Sequence, residues 1–73
     1  MKLIIKGTAS QARRAARTRG IELSGVSARP NQFGETTAHC APEDQRKIMA
    51  WYIEDTLDPN DGPFPPGTLL FYN

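Results

Sequence analysis

The stretch from Thr8 to Gly20 constrains the fold most, because it carries both ends of a helix and very little to bury. Thr8 with Gln11 three residues on is a capping-box pattern, in which each side chain satisfies the other residue's free backbone N–H. Ala9 to Arg19 are moderate or strong helix formers. Gly20 supplies a left-handed stop, and Ile21 follows where a Schellman ending takes an apolar residue. The inward stripe is Ala9, Ala12, Ala15 and Ala16. Alanine methyls bury little area, so this helix must approach a sheet closely and leave most of the hydrophobic stabilisation to other segments.

Those segments are short. Leu3-Ile4-Ile5 reads as a strand, with Gly7 ending it. Ile21 to Arg29 reads as a second strand whose apolar phase jumps at Gly25, where a bulge or bend is expected. Pro30 to Gly34 is a hairpin loop by composition. Glu35 to Ala41 alternates, with Thr36, Ala38 and Cys40 on one side and Glu35, Thr37 and His39 on the other. Pro42 suits the first position of a second helix, running to about Asp55. Its periodicity predicts a buried stripe of Gln45, Ile48, Met49 and Tyr52, extended by Ile53, with Trp51 at the edge and partly buried. Residues 57–67 are a restricted Pro/Gly loop, and Thr68 to Tyr72 a last strand.

The order β-α-β-β-α-β is that of the ferredoxin-like arrangement, an α+β fold. Right-handed crossovers would put both helices on one face of a four-stranded antiparallel sheet, with the first and third strands central. If Leu3 and Ile5 face the helices, Ile4 lies in the middle of the open face. Apolar residues there call for a cover. Two covers are expected: the loop carrying Leu57 and Phe64, or a second copy forming a homodimer through the open sheet face.

Length and composition narrow the function. With 73 residues, the chain reads as one domain, 1–73, too small for separate cofactor and substrate domains. The single cysteine, Cys40, excludes a disulfide scaffold and points to a reducing, cytoplasmic setting. No apolar run is long enough to read as a membrane span. His39 and Cys40 are adjacent on a strand, so they point to opposite faces and share neither a metal ion nor a catalytic dyad. No cofactor is expected. Gly7-Thr8-Ala9-Ser10 opens a helix after a strand, but without a phosphate-loop pattern.

Charge is the remaining signal. Residues 1–20 hold six basic residues and no acid, whereas the rest of the chain holds three basic and eight acidic ones. Arg13, Arg14 and Arg17 fall together on the outer face of the first helix, with Arg19 in its last turn. Such a face suits an acidic surface on a larger protein or complex. Phe33, at the hairpin tip, is a candidate anchor for that partner. A secondary acidic surface is expected from Glu54, Asp55, Asp58 and Asp61. The expectation is a non-enzymatic protein-interaction module, of the size of the small phage or mobile-element regulators and inhibitors that dock on host machinery. The alternative is a nucleic-acid-binding module using the same helix. The near-neutral net charge of +1 and the lack of aromatics on the third predicted strand favour the protein partner.

Overall fold

A computed structural model describes residues 1–57 and 62–73. The chain folds as strand β1 (Lys2–Lys6), helix α1 (Ala9–Arg17), strand β2 (Glu35–His39), a single 3-10 turn (Pro42–Asp44), helix α2 (Gln45–Thr56) and strand β3 (Leu69–Tyr72). The three strands form one antiparallel sheet in the order β2-β1-β3. The architecture is α+β, with two helices and three strands where four strands were expected.

The missing strand has a physical cause. Residues 21–29 do run beside β2, but they pair at only two points. Ser24 and His39 exchange main-chain hydrogen bonds at 2.8 Å in both directions, and Ser27 N–H reaches the Thr37 carbonyl at 2.9 Å. Between them Gly25 takes a positive φ of 55°, which no extended strand permits. A Cβ there would come within 3.0 Å of the His39 ring, so glycine also lets the two backbones approach. The phase jump marks a break in the strand rather than a bulge within it.

Alternation on β1 and β2 holds. Leu3, Ile5, Thr36, Ala38 and Cys40 are buried on the helix side, and Leu3 faces Ala38 while Ile5 faces Thr36. Thr36 is polar but satisfied, since its hydroxyl donates to the Gly7 carbonyl at 2.6 Å. Ile4, Thr37 and Phe71 share the other face. On β3 a bulge between the partners of Ile4 and Ile5 resets the alternation, and Leu69 joins the core.

Helix α1 begins as its sequence requires. Gln11 N–H donates to the Thr8 hydroxyl at 3.2 Å, and Thr8 N–H to Gln11 Oε1 at 2.9 Å. It ends two residues before Arg19 in a Schellman turn, with Ile21 N–H on the Ala16 carbonyl and Gly20 N–H on that of Arg17, both at 3.0 Å. Gly20 has φ 71°. Ala12 and Ala16 are fully buried, and Ala9 and Ala15 half-buried.

Helix α2 is rotated relative to the expected stripe. Ile48 and Trp51 are buried, Trp51 to 1% exposure, whereas Gln45, Met49 and Ile53 face out. The inward line runs through Asp44, Ile48, Trp51, Tyr52 and Asp55. The reason is volume: α1 contributes only methyl groups, and the indole of Trp51 fills the space they leave. Tyr52 packs edge-on against Tyr72 of β3, with ring centroids 5.2 Å apart.

The expected loop cover is not found in the described residues. Phe64 lines a groove of about 270 Å³ with Tyr52, Asp55, Thr56, Leu69 and Leu70, on the α2 side of β3 rather than over Ile4. Among the described residues, no helix is long and apolar enough to cross a membrane.

Candidate functional site: a basic flank on the first helix

Helix α1 presents different chemistry on its two flanks. On one, Ala15 lies against Gly67 of the loop before β3, where a Cβ on the glycine would approach the Ala15 methyl to 3.2 Å. On the other, Arg13 and Arg17 border a groove of about 380 Å³ with Gly20, Ile21, Glu22 and Leu23. The Schellman turn makes this groove. It folds residues 20–23 back alongside the last turns of α1, so arginine side chains meet an irregular main chain and the half-buried Leu23.

Arg13, Arg14 and Arg17 are exposed, and none has an acidic partner among the described residues. Three guanidinium groups within little more than one helical turn repel one another and favour any anionic group that comes between them. A guanidinium fork matches a carboxylate bidentately, which adds geometry to the charge.

Arg19 is used internally. Its guanidinium lies over the Trp51 ring at 4.8 Å, donates to the Ala15 carbonyl at 3.0 Å, and stands 3.6 Å from the Glu54 carboxylate. It therefore closes the C-terminal end of α1 and ties it to α2. Two donors beneath this stack, Arg19 Nε and Trp51 Nε1, are buried with no acceptor among the described residues. The stack offsets that cost through the cation–aromatic contact and the area that it covers.

The expected acidic surface is divided. Glu54 is exposed and faces Arg19. Asp55 is half-buried, and its Oδ2 accepts from Leu69 N–H at 2.7 Å, fastening the end of α2 to the start of β3. Asp58 and Asp61 lie outside the described residues.

Phe33 is 63% exposed on a well-tied turn. The Asn31 side chain accepts from the N–H groups of Phe33 and Glu35 at 2.9 and 3.0 Å, and Lys6 Nζ donates to the Phe33 carbonyl at 2.7 Å. The ring is held out by backbone geometry rather than by packing. That restriction lowers the entropy cost of using it as an anchor.

His39 is exposed and Cys40 buried, so the structure does not bring them together. No cluster of three or more His, Cys, Asp or Glu side chains able to hold a metal ion occurs among the described residues. No family model matches the chain, and no curated protein or solved structure matches it significantly.

Sequence reasoning found the arginine face because helical periodicity alone places it. It missed the groove beside the face. The only signal for that was the Gly20-Ile21 pair, read as a helix stop and not as a wall.

Proposed function

We propose that this chain is a small non-enzymatic interaction module that occupies an acidic surface on a larger protein, acting as a regulator or inhibitor by occupancy. One observation carries the reading: Arg13 and Arg17 border the groove along residues 20–23, Arg14 is exposed next to them on α1, and none of the three has an acidic partner among the described residues. The occupant best suited to it is a segment with carboxylates for the arginines and an apolar side chain for Leu23. Glu22 on the groove wall disfavours a polyanion such as nucleic acid, whose evenly spaced phosphates would meet it. Phe33 would add a second contact at the hairpin tip.

We further read the topology as a ferredoxin-like βαββαβ chain whose second strand is reduced to the Ser24–His39 bridge and the Ser27 bond. The support is the position of that segment, outside β2 and antiparallel to it.

The test is fluorescence anisotropy of the full chain against a glutamate- and leucine-containing peptide and against single- and double-stranded oligonucleotides, over a range of salt. The peptide is expected to bind, and the triple variant R13A/R14A/R17A to bind it at least about ten-fold more weakly. Equal binding by that variant, with its circular dichroism unchanged, would remove α1 from the interface. Tighter binding to oligonucleotide, with log affinity falling steeply and linearly in log salt, would put nucleic acid first.

A further inference from the structure

Residues 21–23 wall the groove beside α1, and most of their main chain is unused. Exposure alternates along this segment: Ile21 is buried, Glu22 exposed, Leu23 half-buried and Ser24 exposed. A period of two belongs to extended backbone. Its orientation is fixed at two points. Ser24 exchanges main-chain hydrogen bonds with His39 in both directions, so it faces β2. Ile21 N–H donates to the Ala16 carbonyl at 3.0 Å, so it faces α1. Leu23 lies one residue from the first and two from the second. Alternation turns its N–H and C=O away from β2, toward the groove. Neither group has a hydrogen-bond partner among the described residues, and nor does the Ile21 carbonyl.

This free edge lies beside matched charge. Arg13 and Arg17 border the groove one helical turn apart, about 6 Å along the axis of α1. Side chains on one face of an extended strand repeat at about 6.6 Å. A strand laid along residues 21–23 therefore offers two same-face side chains at nearly the spacing of the two arginines. The residues between them fall on the side of Glu22, which repels an acid.

We propose that the groove takes its partner as an added β-strand: an extended segment, with carboxylates at alternate positions, pairs its main chain with Leu23 and aims the carboxylates at Arg13 and Arg17. This rests on the acidic-partner reading above and deepens it, because it fixes the backbone of the bound segment and the period of its acids. The residue opposite Leu23 exchanges two main-chain hydrogen bonds with it. A residue two places along donates a third to the Ile21 carbonyl. Gly25, at φ 55°, ends the extended stretch, so the added strand is short and the charges supply the selectivity. The occupant is another protein and not a second copy. The acids of this chain are Glu22, Glu35, Glu43, Asp44, Glu54, Asp55, Asp58 and Asp61, and no two of them stand two residues apart.

The experiment is fluorescence anisotropy of the full chain with a labelled peptide, Thr-Glu-Thr-Glu-Thr-Leu-Thr, and with an isomer of the same composition whose two glutamates are adjacent. The alternating peptide is expected to bind at least about five-fold more tightly than the isomer. Single N-methylation along the alternating peptide is expected to weaken binding about five-fold or more at every second residue and little between them. All these changes are made in the peptide, so the fold of the chain is not at risk. Amide exchange followed by NMR supplies a second readout. Saturating peptide is expected to slow exchange at Leu23 N–H far more than at Ser24 N–H, which is already bonded to His39. An isomer that binds as well or better, an N-methyl scan without period two, or unchanged exchange at Leu23 would overturn the added strand. If binding still fell in R13A/R14A/R17A, the acidic-partner reading would stand without it. Failure of both peptides to bind would remove the two together.

Discussion

The two helices of this small fold are held by different means. Helix α1 is fixed from within its own sequence. Thr8 and Gln11 close its first turn, Gly20 and Ile21 close its last, and only methyl groups face the core. Helix α2 has no side-chain cap at its start. It is held by distant parts of the chain: Trp51 under Arg19, Tyr52 against Tyr72, Asp55 on the Leu69 N–H, and Lys47 on the Gly20 carbonyl. A helix that buries little can be specified locally. One that carries the largest buried side chain is specified by what surrounds it.

The contrast can be broken most sharply at Trp51. Trp51→Ala is expected to cost about 3–5 kcal/mol, which approaches the whole stability of a domain this small. Urea denaturation followed by circular dichroism should find it largely unfolded without denaturant. Trp51→Phe is expected to lose less than about 2 kcal/mol, because it removes the buried Nε1–H that has no acceptor among the described residues. A Trp51→Ala variant as stable as the wild type would mean that α2 is not held by its buried face. Next comes Asp55. Asp55→Ala leaves the Leu69 N–H without its partner and should cost about 1–3 kcal/mol, while Asp55→Asn keeps an acceptor oxygen and should recover most of that loss. If the two variants are equally stable, the fastening of α2 to β3 lies elsewhere.

The same contrast explains what the sequence revealed. The start of α1, its glycine stop and its alanine stripe were legible, because capping residues, a glycine stop and helical spacing act over a few positions; its last turn closes at Arg17, two residues short of the expected Arg19. The exposed arginine face followed from the same spacing. The inward residues of β1 and β2 were legible too, since alternation with period two needs no partner to be read. The stripe of α2 was not. Gln45, Ile48, Met49 and Tyr52 fit helical periodicity as well as Ile48, Trp51, Tyr52 and Asp55 do. The choice was made by the space above the alanines, which only the assembled fold defines. Arg19 and Asp55 were assigned to outer surfaces on charge, but each closes a gap between elements distant in sequence. Residues 21–29 failed as a strand because Gly25 at positive φ interrupts the pairing after one bridge.

A smaller effect is expected at the locally fixed helix. Thr8→Ala removes the acceptor for the Gln11 N–H and should cost about 1 kcal/mol. Since the cap is local, Thr8→Ser should behave as the wild type in the same urea titration. A loss as large as that of Asp55→Ala would show that the start of α1 also depends on tertiary packing.

The smallest expected effect is a pH dependence on the α2 side. Cys40 follows β2 and precedes the turn that leads into α2. Burial pushes its thiol above the ordinary cysteine value and the Asp44 carboxylate adds to this, while the Met1 ammonium nearby works in the other direction. The neutral thiol is therefore favoured in the folded chain, and the folded state holds its proton longer than the unfolded one. Where the two states differ in this way, stability falls as pH rises. The contribution is complete below about pH 8.5, where an unfolded thiol begins to ionise, and is lost as pH climbs through the higher folded value. Cys40→Ala removes this component. In urea titrations across that range, the wild type should lose stability with rising pH more steeply than the variant. Parallel slopes would mean that the thiolate is accommodated where it forms. The junction between β2 and α2 would then be open enough to water that this end of the second helix, unlike its centre at Trp51, is held no more tightly than the first.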